Sequence, residues 1–280
     1  MSVGVLAHLF GSLPYRRLAE EVAAAGFSHV QLALWKAVSD VDFSKSGMLS
    51  PGLAQELGQS FARQGVSISV LGCYVHLFDR NVEKRRENVA RFKELLRYAS
   101  WMGCPIVAAE SGVNPGGDYT EEDWRAMRET LEELAAEAER WGVFVGMEAA
   151  DRHLIGTAES LNRLLEEVPS SNIGVVLDPG NLLNEDNFSR QDEVIEQAFE
   201  LLGNRIIACH AKDKLMTPEG TLVTVAPGQG QMNYELYMER LQQYKPHVHI
   251  IMEAASRSEM TASKQYIDSI RARYSASSHL

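Results

Sequence analysis

The chain is 280 residues long, 45% hydrophobic and 23% charged, which is enough apolar material for one large globular domain. Its formal charge of −11, from 27 basic and 38 acidic residues, gives no electrostatic reason to approach nucleic acid or an anionic membrane. No run nears the ~18 consecutive apolar residues of a membrane span, and the opening MSVGVLAHLFGSLPYRR has no basic segment before its apolar stretch, so a cytoplasmic protein is expected.

Short apolar strands alternate with longer amphipathic stretches along the whole chain. VGVLAH (3–8) ends in His8, HVQLAL (29–34) leads to Trp35, VSISVLG (66–72) is followed by His76, and IVAAE (106–110) closes on Glu110. The stretch EEDWRAMRETLEELAAEAERWG then repeats apolar residues every three and four positions and ends on Gly142, the pattern of a capped helix. VFVGME (143–148), IGVVLD (173–178), RIIACH (205–210) and HIIMEA (249–254) complete the strands. Eight such units without a linker or composition break predict a (β/α)8 TIM barrel, one domain over 1–280. A doubly wound open sheet is the alternative, but GxGxxG is absent and eight units fit closure better. Cys73, Cys104 and Cys209 each sit in or beside an apolar run and read as reduced core thiols.

A strand that is apolar on both faces is covered by helices, so its polar C-terminal tip emerges at the mouth of the barrel, where ligands bind. The last four strands end in Glu148, Asp178, His210 and Glu253. With alternate residues on one face, Glu148 shares the interior with Gly146 and Phe144, Asp178 with Val176 and Gly174, His210 with Ala208 and Ile206, and Glu253 with Ile251 and His249. The competing reading is that each carboxylate caps the following helix, but four residues of metal-ligating type on consecutive strands weigh against it. Three carboxylates and an imidazole suit one divalent ion with open positions, Mn2+ first, with Co2+, Mg2+ or Zn2+ also admissible. His8, Trp35, His76 and Glu110 lie at or just past strand ends and are candidate substrate contacts. His29 and His247 begin strands at the opposite face, His249 is expected as a hydrogen-bonded interior residue, and His279 as tail.

Glu148 in VGMEAA, Asp178 in LDPGN, His210 in CHAKD, the stretch PGQGQMNYE from Pro227 and Glu253 in IIMEAA occur in an order that resembles the xylose isomerase-like superfamily of sugar phosphate isomerases and epimerases, over essentially the whole chain. The resemblance implies a barrel binding one divalent ion through Glu148, Asp178, His210 and Glu253, with Glu148 and Glu253 also acting on substrate protons. Proton movement beside a carbonyl passes through an enediolate whose charge a metal stabilises, and inversion of a centre needs an acid/base group on each face. The partner implied is a small carbohydrate, with neither nucleic acid nor membrane; self-association is left open.

Arg152, four residues after Glu148, Asn181 in DPGN and Lys212 two after His210 are further candidate substrate contacts, while Asp213 is expected to anchor a loop. The sequence departs from the free-sugar ketose 3-epimerases, which carry a histidine at the position of Asn181 and a glutamate at that of Leu154. Lys212, Lys214, Gly228, Gly230 and Arg257 could together form a phosphate site. A lyase or dehydratase acting on a keto-sugar or inosose would use the same metal and base, expelling a β-oxygen.

Overall fold

The computed structural model describes residues 3–114 and 116–275, so His279 lies outside the described residues. Eight parallel strands close into a barrel: β1 (Val3–Leu6), β2 (His29–Leu32), β3 (Ser67–Gly72), β4 (Ile106–Glu110), β5 (Phe144–Glu148), β6 (Ile173–Leu177), β7 (Ile206–Ala211) and β10 (Ile250–Met252). Each strand pairs with its sequence neighbour, β10 pairs with β7, and β1 closes the ring against β10. Helices α1 (Tyr15–Ala24), α2 (Leu34–Ala37), α3 (Pro51–Ala62), α4 (Val82–Ala99), α5 (Glu121–Trp141), α6 (Ala158–Glu167), α7 (Pro179–Leu182), α8 (Gln191–Leu202), α9 (Tyr234–Tyr244) and α10 (Met260–Ser275) lie in the connections.

Local chemistry sets the helix ends. Thr120 and Asp123 form a reciprocal capping box that opens α5, and Gly142 closes it in the left-handed conformation. No helix among the described residues is long and apolar enough to cross a membrane. Cys73, Cys104 and Cys209 are buried free thiols. Burial pushes Cys104 and Cys209 up to about 12, which keeps them protonated and unreactive.

The barrel is filled, with Leu6, Val70, Ile106, Ala108, Val176, Ala208 and Ile251 forming its interior cluster. One inward assignment is corrected. Ile206 packs in the outer layer, and Ile207 is the residue set against the interior cluster, because the β6–β7 register shifts between Val175 and Val176. Ile207 uses room left by Gly174, where an added Cβ would fall 2.6 Å from its Cγ2.

Two strands fall outside the eightfold pattern. β8 (Asp213–Met216) and β9 (Leu222–Val225) pair antiparallel as a hairpin directly after β7. From α9, Tyr234 and Tyr237 donate hydrogen bonds to the carbonyls of Lys212 (2.8 Å) and His210 (2.9 Å), fixing the end of β7 from behind. Both rings are fully buried, one helical turn apart on one face.

Candidate active site

Glu148 is the last residue of β5, Asp178 and Glu253 each stand one residue beyond their strands, and His210 is the fifth residue of β7. Asp178 occupies the N-cap position of α7 yet makes no capping hydrogen bond, so the helix-cap alternative fails there. The side chains converge on one imidazole nitrogen. His210 Nδ1 lies 3.2 Å from Glu148 Oε1, 3.1 Å from Glu253 Oε1 and 3.8 Å from Asp178 Oδ2. The backbone of Ala254, next to Glu253, takes the left-handed conformation uncommon for a residue with a Cβ (φ 60°).

Lys212 is held between two of these carboxylates, with Nζ 2.8 Å from Asp178 Oδ2 and 2.9 Å from Glu253 Oε2. Burial opposes its charge, but Asp178 and Glu253 outweigh that and hold its pKa above the ordinary lysine range. For His210, burial is likewise outweighed, by Glu148 and Glu253 foremost, and its pKa is pushed up to about 10. Glu253 is resisted by burial but drawn below the usual carboxylate range by His210 and Lys212. Asp178 Oδ1 is buried without any hydrogen-bond partner, and Oδ2 meets the Lys212 ammonium outside hydrogen-bonding geometry. Lys212 compensates the charge, but a buried carboxylate oxygen with no hydrogen bond is costly unless a further ligand such as a metal ion satisfies it. Glu148, Asp178 and His210 offer ligand atoms within 4.8 Å of one another, a group that could hold a metal ion. Glu253 borders the same nitrogen. The donor set therefore fits a divalent ion.

The other candidate contacts separate into two groups. Asn181 donates to Glu148 Oε1 (2.7 Å) and, at 3.4 Å, to Glu110 Oε1. Glu110 pairs in register with Glu148, and its carboxyl is raised by burial. His8 follows β1 in a short 3-10 turn; burial and Lys36 lower its pKa, and its Nδ1 is buried with no partner. A polar cavity of about 270 Å³ opens beside Glu110 and Asn181 and is lined also by Asp151, Arg152, His153 and Lys214. Arg152 is paired there with Asp151 (3.4 Å) and Glu185 (3.9 Å). Two candidates stand apart. Trp35 turns into a separate small cavity with Phe43 and Leu49, its ring under the Arg91 guanidinium (4.5 Å). His76 is exposed, with its ring 6.3 Å from that of His153. At the opposite end, His249 lies against His29 (4.5 Å between ring centroids) with Nδ1 buried and unpartnered, so the hydrogen bond expected of it is absent on that side.

The phosphate set is not assembled. Lys214 donates to Thr224 (3.0 Å), Arg257 pairs with Glu21 and stacks on Phe10, and the backbone N–H groups of Gly228 and Gly230 both donate to Asp213 (3.0 Å each). Asp213 also accepts from Met232 (3.0 Å) and Lys214 (2.8 Å), so one carboxylate fills the pocket of amides that an anion would use.

Gln31, Tyr74 and Lys36 are the residues that sequence reasoning missed. Gln31 Oε1 lies 2.8 Å from His210 Nε2, Gln31 donates to the Tyr74 hydroxyl (3.0 Å), and the Lys36 ammonium sits 3.6 Å above the Tyr74 ring. The available signal was a glutamine at an inward position of β2, two residues after His29.

The chain belongs to the xylose isomerase-like TIM barrel family, whose model matches residues 19–275. Among its relatives, the inosose isomerase of Bacillus velezensis is 24% identical over 193 residues, 67% of each chain. Solved structures with the same fold include a D-tagatose 3-epimerase-like protein (TM-score 0.77, 20% identity, 99% of both chains). Another is the IOLI protein with a bound zinc atom (TM-score 0.75, 19% identity, 98% of this chain and 99% of that one).

Proposed function

We propose that the chain is a divalent-metal-dependent isomerase or epimerase of an unphosphorylated keto-sugar or inosose, working in the cytoplasm. The observation that carries this reading is the convergence of Glu148 and Glu253 on His210 Nδ1 from strands three apart in the barrel, with the buried Asp178 beside them keeping Oδ1 without a hydrogen-bond partner. Glu148, Asp178, His210 and Glu253 would hold the ion, which supplies positive charge against the enediolate formed next to a carbonyl.

The proton work falls to the two glutamates. Glu148 is aimed by Asn181, and Glu253 is kept ionised by His210 and Lys212, so it is ready to accept a proton. A substrate lying between them presents one face of its carbon to each. His8, held neutral by burial, and the polar wall of Glu110, Asn181, Arg152 and His153 are suited to the hydroxyls of a polyol. Absence of a phosphate is supported by Asp213, whose carboxylate already takes the amides of Gly228, Gly230 and Met232. The inosose isomerase relative supports the substrate class, and the zinc-bearing structure supports an ion of this type. Manganese is our choice of ion, because a mixed carboxylate and imidazole set suits it.

The test is a screen of ketohexoses, inososes and their phosphates with purified protein and Mn2+, Co2+, Mg2+ or Zn2+, with products resolved by chromatography and mass. We expect turnover of an unphosphorylated ketose or inosose without change of mass. Loss of water would make the enzyme a dehydratase, and preference for a phosphorylated substrate would overturn the substrate class.

A further inference from the structure

An amide buried in a barrel wall must find partners for both its ends, since an unsatisfied polar group there is costly. Gln31, in β2, is 2% exposed, and it satisfies both ends inside the site. Its Oε1 faces His210 Nε2 and its Nε2 donates to Tyr74. Three carboxylates surround His210 Nδ1, so that nitrogen faces a cation or carries a proton itself; in either case Nε2 holds the ring's other hydrogen and needs an acceptor. A carbonyl oxygen meets that need, and an amide turned the other way would set two donors against each other.

The orientation of the amide is fixed in turn. The Tyr74 ring lies under the Lys36 ammonium and edge-on to His8 (5.6 Å between centroids). Gly72, at the end of β3, leaves space for the pair: a Cβ there would fall 2.9 Å from Tyr74 Cε2 and 3.1 Å from Gln31 Nε2.

We propose that Gln31 is a positioning residue that holds His210 in the form with hydrogen on Nε2, leaving Nδ1 to face the ion site, and that Tyr74 locks the amide in that orientation. The proposal rests on the reading that Glu148, Asp178, His210 and Glu253 hold a divalent ion. It adds a chain from the end of β3 through β2 that acts on the ion through His210 and sets how tightly the ion is held.

Mn2+ titration of metal-stripped protein tests it without reference to turnover. Gln31→Leu removes the acceptor and should weaken Mn2+ binding by about 10- to 100-fold. Gln31→Glu restores an acceptor and should recover most of that loss. Tyr74→Phe should weaken binding by roughly 3- to 10-fold, and the double variant Gln31→Leu/Tyr74→Phe should be no worse than Gln31→Leu alone, since both act through one chain. In the Mg2+-loaded protein, 15N spectra should place the His210 hydrogen on Nε2 and lose that single form in Gln31→Leu. Wild-type affinity in Gln31→Leu, or strictly additive losses in the double variant, overturns the proposal. If Gln31→Leu does not fold, unchanged Mn2+ affinity in Tyr74→Phe does so. A wild-type protein that binds no divalent ion overturns this inference and the functional reading together, whereas tight wild-type binding with an indifferent Gln31 overturns this one alone.

Discussion

Lys212 and Asp178 meet at 2.8 Å in the interior of the barrel mouth; His210 Nδ1 stands farther off at 3.8 Å, and Asp178 Oδ1 has no hydrogen-bond partner among the described residues. The contact joins the end of β6 to the end of β7 and leaves a buried carboxylate with spare coordinating capacity.

The first prediction concerns that capacity. Purified protein should carry about one divalent ion per chain, measured by elemental analysis, and His210→Ala should lose most of it. Stripping the ion should lower the thermal midpoint, because the only positive charge left in contact with the carboxylates, among the described residues, is then that of His210 and Lys212. Full occupancy in His210→Ala would remove the imidazole from the ligand set.

Glu148 and Glu253 are expected to divide the proton chemistry. A carboxamide keeps the shape but cannot carry the proton, so Glu148→Gln and Glu253→Gln should each lower turnover by roughly 10²- to 10⁴-fold with the fold intact. A single variant should still exchange substrate hydrogen with D2O from one epimer without completing inversion. Near-normal turnover in either variant, with the ion bound, would show that another group handles the proton.

Gly180 sets the spacing around Asp178. A Cβ there would fall 2.9 Å from Lys212 Cγ and 3.1 Å from Asp178 Oδ1. Gly180→Ala should therefore weaken ion binding by about 10-fold or more although it deletes no ligand, and calorimetric Mn2+ titration should show it. Unchanged affinity would mean that the Lys212 stem yields freely.

Tyr237 supports β7 from behind. Tyr237→Phe leaves the His210 carbonyl without its side-chain donor and should cost about 1–2 kcal/mol in urea unfolding. A change below about 0.3 kcal/mol would mean that the carbonyl finds another partner; the bond itself is worth roughly 1 kcal/mol.

The barrel and the four converging side chains were legible because both follow from short-range rules. Strands apolar on both faces specify a covered parallel sheet, and their common direction puts the strand-end residues at one mouth. Ile206 was misassigned because a register shift is a property of two paired strands, which neither strand's pattern reveals. Gln31 was passed over because a polar residue in β2 has no partner in view until closure of the barrel brings β7 within three positions of β2. Trp35 sits after a strand end as expected, but its direction is decided by Arg91, which is remote in sequence and donates to the carbonyls of Phe43 and Ser44. The β8–β9 hairpin did carry a local signal, Pro218 and Gly220 between alternating apolar residues, which the eightfold pattern obscured.

Asp213 gives the loop from Gly228 to Met232 a permanent occupant. A free anion must surrender its translational freedom each time it enters such a ring of amides, and the loop must be ordered around it on each occasion. A carboxylate tethered at the start of β8 is already present at a high effective concentration, so the loop is ordered during folding and not during the catalytic cycle. The wall beside Lys212 is thus already shaped without any ligand, so that substrate binding need not spend free energy on ordering this loop.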